Sequence, residues 1–188
     1  MAETISVLGI SGSLRKESFN TALLRAAQGL APDGMKIGVA TLADIPLYNE
    51  DVRDKGYPEA VQALRNQIRD ADAVLIATPE YNYSIPGVLK NAIDWASRSP
   101  ARSALNHKPV ALMGASPGIG GTMRAQAAWQ QVLTHAESYL LLRPELFIPF
   151  ARNHFDEDGN LVDAELRQRV RSILEALVTW ARFLAAER

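Results

Sequence analysis

The chain has 188 residues, 47% of them hydrophobic, and a formal net charge of −1, which suits one domain with a sizeable core and supplies no field to recruit nucleic acid or an anionic membrane. It contains no cysteine, so disulfides, thiol catalysis and Cys-ligated metal are excluded. Its apolar runs fall well short of the ~20 residues that cross a bilayer, and its three histidines, His107, His135 and His154, lack metal-motif spacing.

Met1-Ala2-Glu3-Thr4 leads directly into an apolar run, which leaves no room for a signal peptide and predicts a cytoplasmic protein. Ile5 to Ile10 reads as a strand and Thr21 to Ala27 as a helix. Between them lies Ser11-Gly12-Ser13-Leu14-Arg15-Lys16-Glu17-Ser18-Phe19-Asn20. A helix start leaves backbone N–H groups unpaired and its dipole favours an anion, so this polar loop predicts a phosphate cradle. Ser13, Ser18 and Asn20 can donate, and Arg15 adds charge. Helix capping by Ser18 or Asn20 is the plain alternative, but it leaves Ser11, Ser13 and Arg15 without a reason. Neither GxGxxG nor GxxxxGK[ST] is present, which argues against a dinucleotide-binding domain and a P-loop NTPase. FMN, with one terminal phosphate, fits better.

A second strand, Met35 to Ala40, follows the Pro32-Asp33-Gly34 turn. Leu42 to Pro58 has no sustained period and predicts a long loop. Val61, Leu64 and Ile68 share one face of a helix over Glu59 to Ala71, and Asp72 to Thr78 reads as a strand buried on both faces. Pro79 to Gly87 is a second loop, leading into a helix over Val88 to Ala96. A fourth strand, Pro109 to Gly114, ends in a third small-residue loop, Ala115 to Gly121. A helix over Thr122 to Ala136 and a fifth strand within Tyr139 to Phe147 follow. Asp156 to Asn160 predicts a solvated turn with a helix start, since the spaced ligands of a calcium loop are missing. Leu166, Val170, Ile173, Leu174, Leu177, Ala181 and Leu184 form the core face of a final helix.

Strands alternating with helices predict an α/β fold, a five-stranded parallel sheet covered on both sides. The flavodoxin-like order 2-1-3-4-5, a three-layer sandwich, places a ligand crevice between strands one and three. The three loops then face one crevice, where Tyr81, Tyr83 and the glycines offer flat walls to an aromatic ring.

GSLRKESFN at 12–20, PEYNYSIPGVLKNAIDW at 79–95 and GASPGIGG at 114–121 resemble the signatures of the NADPH-dependent FMN reductase family, flavodoxin-like proteins that include quinone, chromate and azo-dye reductases. The resemblance implies tightly bound FMN, its phosphate held by Ser13, Arg15, Ser18 and Asn20 with a main-chain contact from Phe19. It implies an isoalloxazine against Pro79, Glu80, Tyr81 and Asn82, with Ser116 and Gly118 beside it. It also implies NADPH or NADH as hydride donor, a small-molecule acceptor, and a homodimer or homotetramer in which Leu47 to Asp51 borders the neighbouring site. No side-chain nucleophile is then required, because the flavin carries the chemistry.

Two alternatives stand beside this reading. Gly114-Ala115-Ser116-Pro117-Gly118 satisfies the GxSxG elbow of serine hydrolases, but Pro117 has no N–H for the oxyanion. A flavodoxin-like electron carrier or FMN-binding sensor without turnover is the other, though the balanced charge gives it no steering field.

Overall fold

The computed structural model describes residues 4–98 and 103–187; Met1, Ala2 and Glu3, read above as running into the first strand, lie outside the described residues. In chain order the elements are β1 (Ile5–Ser11), α1 (Phe19–Gly29), β2 (Met35–Ala40), α2 (Glu50–Arg53), α3 (Glu59–Asp70), β3 (Ala73–Ala77) and α4 (Gly87–Ser97). There follow β4 (Pro109–Ala115), α5 (Met123–His135), β5 (Tyr139–Leu140), β6 (Phe147–Ile148), a 3-10 turn at Ala151–Asn153 and α6 (Ala164–Ala186).

The strands pair in the order β2-β1-β3-β4-β5, all parallel. Every residue of β3 and β4 is buried, as continuous apolar runs in a parallel sheet require. Alternation along each strand divides the side chains between two cores. Val7, Leu75 and Met113 pack with α1 and α6 on one face, while Leu8, Ile76 and Leu112 pack with α3, α4 and α5 on the other. The fold is the expected flavodoxin-like sandwich.

Three local differences from expectation have physical causes. The fifth strand is split: β5 pairs with Pro109 and Val110, β6 with Gly114 and Ala115. The intervening chain carries Pro144, which cannot donate to a ladder. Within Leu42 to Pro58 a single helical turn, α2, forms because Asn49 Oδ1 accepts the Asp51 N–H at 2.9 Å. Asp156 to Asn160 is the tip of a small hairpin, closed by the Phe155–Leu161 bridge and by Asp156 Oδ1 accepting the Asn160 N–H at 2.7 Å. The helix start lies beyond it, at Asp163, whose carboxylate caps α6.

Candidate active site

The first loop leaves β1 and turns into α1 against the second loop. A Cβ on Gly12 would sit 2.7 Å from Pro79 Cδ and 2.9 Å from Pro86 Cγ, so only glycine allows this approach. Ser11 Oγ bonds Thr21 Oγ1 at 2.9 Å, and Ser13 Oγ accepts the Arg15 N–H at 3.3 Å. Ser18 Oγ caps α1 by accepting the Thr21 N–H at 3.3 Å. The N–H groups of Phe19 and Asn20 precede the first intrahelical bond, and the positive end of the helix dipole points where they do. Arg15 lies over the Phe19 ring at 5.7 Å and makes no ion pair among the described residues. Behind it Phe19 packs on Phe155 of the hairpin, with ring centroids 5.4 Å apart.

The second loop begins where β3 abandons the sheet. The Thr78 N–H donates to the Met113 carbonyl at 2.9 Å, and Pro79 has no N–H to continue. Trp129 Nε1 donates to Thr78 Oγ1 at 3.0 Å, which in turn donates to the Pro79 carbonyl at 2.9 Å. Tyr81 and Ser84 exchange both backbone bonds, while Asn82 and Tyr83 take positive φ of 49° and 65°, as the tight I′ hairpin turn demands. The strained Tyr83 is held from outside: the Arg124 guanidinium lies 3.9 Å from its ring centroid. Arg124 Nη1 also pairs with Glu80 Oε1 at 2.7 Å, and Glu80 Oε2 accepts the N–H groups of Arg124 and Ala125 at 2.9 and 3.2 Å. Glu80 therefore caps α5 with an anion at its positive end.

The third loop is carried by β6 and the chain after it. The Ser116 N–H donates to Ile148, and the Ser116 and Gly118 carbonyls accept from Ala151 and Phe150. Gly114 admits no side chain, since a Cβ would overlap Thr122 Oγ1 and the Thr78 carbonyl.

A cavity of about 710 Å³ opens between the three loops, within the size range of small-molecule sites. Ser13, Arg15, Ser18, Phe19 and Asn20 line one end, and Pro79, Glu80, Tyr81 and Ser116 line the other. Asn82 and Gly118 stand outside its lining: Asn82 forms the turn and Gly118 braces the third loop. Asn20 departs from expectation in its side chain, which is 3% exposed and engages both backbone groups of Ala115 at 2.9 Å. Its backbone N–H and one Nδ2 hydrogen are what is left for an anion. Glu80 likewise faces the cavity with its carboxylate already committed to α5.

The cavity also recruits residues that sequence reasoning missed, among them Lys16, Arg25, Arg152 and the hairpin from Asp156 to Gly159. Arg25 had a signal, since 18, 22 and 25 share one face of α1. Arg152 and the hairpin had none, because long-range contacts bring them to the site: Phe155 on Phe19, Gly159 beside Arg25, and the Ala151 N–H on the Ser116 carbonyl. The donor set fits a phosphorylated flat ring, with free N–H groups and Arg15 at one end and backbone and aromatic surface at the other. Among the described residues no group of His, Asp and Glu is arranged to hold a metal ion, and no helix is long and apolar enough to cross a membrane.

Residues 5–153 match the model of the NADPH-dependent FMN reductase family. The chain belongs to that family. As a member it is an NAD(P)H-dependent FMN oxidoreductase of flavodoxin-like fold. It is 52% identical over 184 residues to an NAD(P)H-dependent FMN reductase of Pseudomonas aeruginosa, covering 98% of this chain and 99% of that one. It is 40% identical over 182 residues to a 2-hydroxy-1,4-benzoquinone reductase of a Burkholderia species, covering 97% and 98%. Among solved structures, a flavoenzyme NAD(P)H:(acceptor) oxidoreductase from Paracoccus denitrificans superposes with a TM-score of 0.87 at 36% identity, over 95% of this chain and 98% of that one.

Proposed function

We propose that this single domain holds FMN in the cavity and passes reducing equivalents from NADPH or NADH to quinones or other small acceptors, among them flavins, azo compounds and chromate. One observation carries the site assignment: the free N–H groups at the start of α1 and the backbone of the second and third loops line the same cavity. Ser13, Arg15, Ser18 and the N–H groups of Phe19 and Asn20 would hold the phosphate. Pro79, Glu80, Tyr81, Asn82, Ser116 and Gly118 would bound the ring through backbone and aromatic surface.

When bound, FMN supplies the redox chemistry, taking a hydride from reduced nicotinamide and delivering electrons to the acceptor. The chain's own part is to hold and to orient. The α1 dipole and Arg15 neutralise phosphate charge. Tyr81, half exposed, reaches from the second loop to Ser13 Oγ at 3.5 Å and covers the cavity between the two ends. A quinone acceptor is supported by the activity in the Burkholderia relative's name. A cytoplasmic setting goes with a reduced nicotinamide as electron source.

We also propose a homodimer or homotetramer. Leu14, Leu47, Tyr81, Tyr83, Ile119 and Met123 are all exposed, Leu47 by 85% and Ile119 by 79%. All follow the carboxyl ends of parallel strands, hence one edge of the sheet, and exposed apolar surface of that extent marks association. The loop carrying Leu47 is held rigidly, with Asn91 bonding both Tyr48 N–H and Pro46 carbonyl at 2.8 Å.

The visible spectrum of the purified protein, with the released flavin identified by chromatography, tests the cofactor. One FMN per chain is expected. A protein that is colourless and takes up no added FMN overturns the reading.

A further inference from the structure

The ladder between β3 and β4 ends early, and what replaces it is not backbone. Ala77 pairs with Met113, so two further residues would set Pro79 opposite Ala115. Proline has no N–H, and the chain turns away there into the second loop. Ala115 is thereby left with an N–H and a carbonyl directed towards β3, because its neighbours Gly114 and Ser116 use theirs on the β6 side. Both groups are buried, and buried backbone groups without partners are costly. The Asn20 amide fills the gap: Nδ2 donates to the Ala115 carbonyl and Oδ1 accepts the Ala115 N–H, each at 2.9 Å. A side-chain amide has the donor and acceptor of a peptide group, and here it stands in for the missing stretch of β3.

Asn20 also belongs to the first turn of α1, whose free N–H groups form the phosphate end of the cavity. We propose that Asn20 is a positioning residue that locks the phosphate cradle to the ring-bearing third loop, fixing the span between the two ends of the cavity. This rests on the flavin reading above. It assigns the side chain a role distinct from phosphate contact, because its Oδ1 and one of its two Nδ2 hydrogens are held on Ala115. It also accounts for the second loop's freedom to leave the sheet and open the crevice.

Riboflavin, which has the ring and lacks the phosphate, separates the two roles. Dissociation constants of FMN and riboflavin are measured by flavin fluorescence on deflavinated wild-type, Ser13→Ala, Asn20→Ala and Asn20→Asp proteins, alongside the melting temperature of each apoprotein. Asn20→Ala is expected to weaken both flavins by a similar factor of about tenfold or more, the scale of two orphaned buried groups. Ser13→Ala weakens FMN by a larger factor than riboflavin. Asn20→Asp weakens riboflavin at about pH 8 and recovers towards the wild-type value at about pH 5, because burial raises a carboxyl's pKa and the protonated acid again donates to and accepts from Ala115. If Asn20→Ala does not fold, the Asn20→Asp series decides alone.

A loss confined to FMN makes Asn20 a phosphate ligand and overturns the proposal. A lowered melting temperature with both affinities intact makes it merely structural and overturns it equally. Wild-type apoprotein that binds neither flavin overturns the flavin reading itself, and the proposal with it.

Discussion

The loops after β1 and β3 line one cavity but use their polar groups in opposite ways. In Gly12 to Asn20 the donors nearest the cavity are left free: among the described residues Arg15 has no carboxylate partner, and the N–H groups of Phe19 and Asn20 have no acceptor. In Pro79 to Ser84 they are engaged internally, with Glu80 on α5, Tyr83 under Arg124 and the Tyr81–Ser84 turn closed on itself. A loop with unsatisfied donors is made to receive an anion, and a loop with satisfied ones is made to hold its shape. On the proposed reading the first is an anchor and the second a wall.

The largest effect is expected where anchor, wall and sheet meet. Gly114→Ala drives a methyl into Thr122 and the Thr78 carbonyl, so urea unfolding should show a loss of about 3 kcal/mol, with flavin lost in parallel. Wild-type stability in this variant would mean the junction is looser than described. Next is the anchor itself. Arg15→Ala removes a charge-assisted contact of about 1.5 to 3 kcal/mol, so FMN affinity should fall roughly tenfold to a hundredfold. Hydride transfer in protein that still holds flavin should be unchanged, and the reverse pattern would exchange the roles of the two loops.

A smaller effect is expected at the wall. Glu80→Ala uncaps α5 and releases Arg124 from one of its two partners, costing about 1 kcal/mol in thermal stability. FMN affinity should fall less than in Arg15→Ala, and a larger fall would show that the wall also anchors. The smallest effect lies away from both loops, at the start of α6. The Leu166 N–H and then His154 hold the Asp163 carboxyl below the ordinary carboxylate range. That contribution is complete above about pH 4 and is lost as pH falls through the lower folded value. Asp163→Asn should therefore destabilise at neutral pH and progressively less in acid, read from denaturant midpoints, with no change in flavin affinity at neutral pH.

Much of the frame was legible in the residues. The uninterrupted apolar runs in β3 and β4 announce a buried parallel sheet, and the polar loop from Ser11 to Asn20 was read as a boundary of the cavity it does line. What was not legible is long-range. Asn20 and Ala115 are 95 residues apart, and Glu80 and Arg124 are 44 apart, so local spacing could not reveal that those two polar side chains were already engaged. The Asp156 hairpin enters the cavity through contacts distant in sequence, Phe155 against Phe19 and Gly159 beside Arg25. Arg143-Pro144-Glu145 was a local signal for the split fifth strand, lying between the apolar runs at 139–142 and 146–148.

The central claim is that the anchored ligand is a flavin that cycles between nicotinamide and an acceptor. Anaerobic stopped-flow mixing of the flavin-loaded protein with NADPH, followed by a benzoquinone, tests it most directly. The account predicts bleaching of the flavin absorbance near 450 nm (roughly, the band of an oxidised flavin) on the first mix and its return on the second. A flavin that stays oxidised with both NADPH and NADH, or that stays reduced in the presence of quinone, would contradict it.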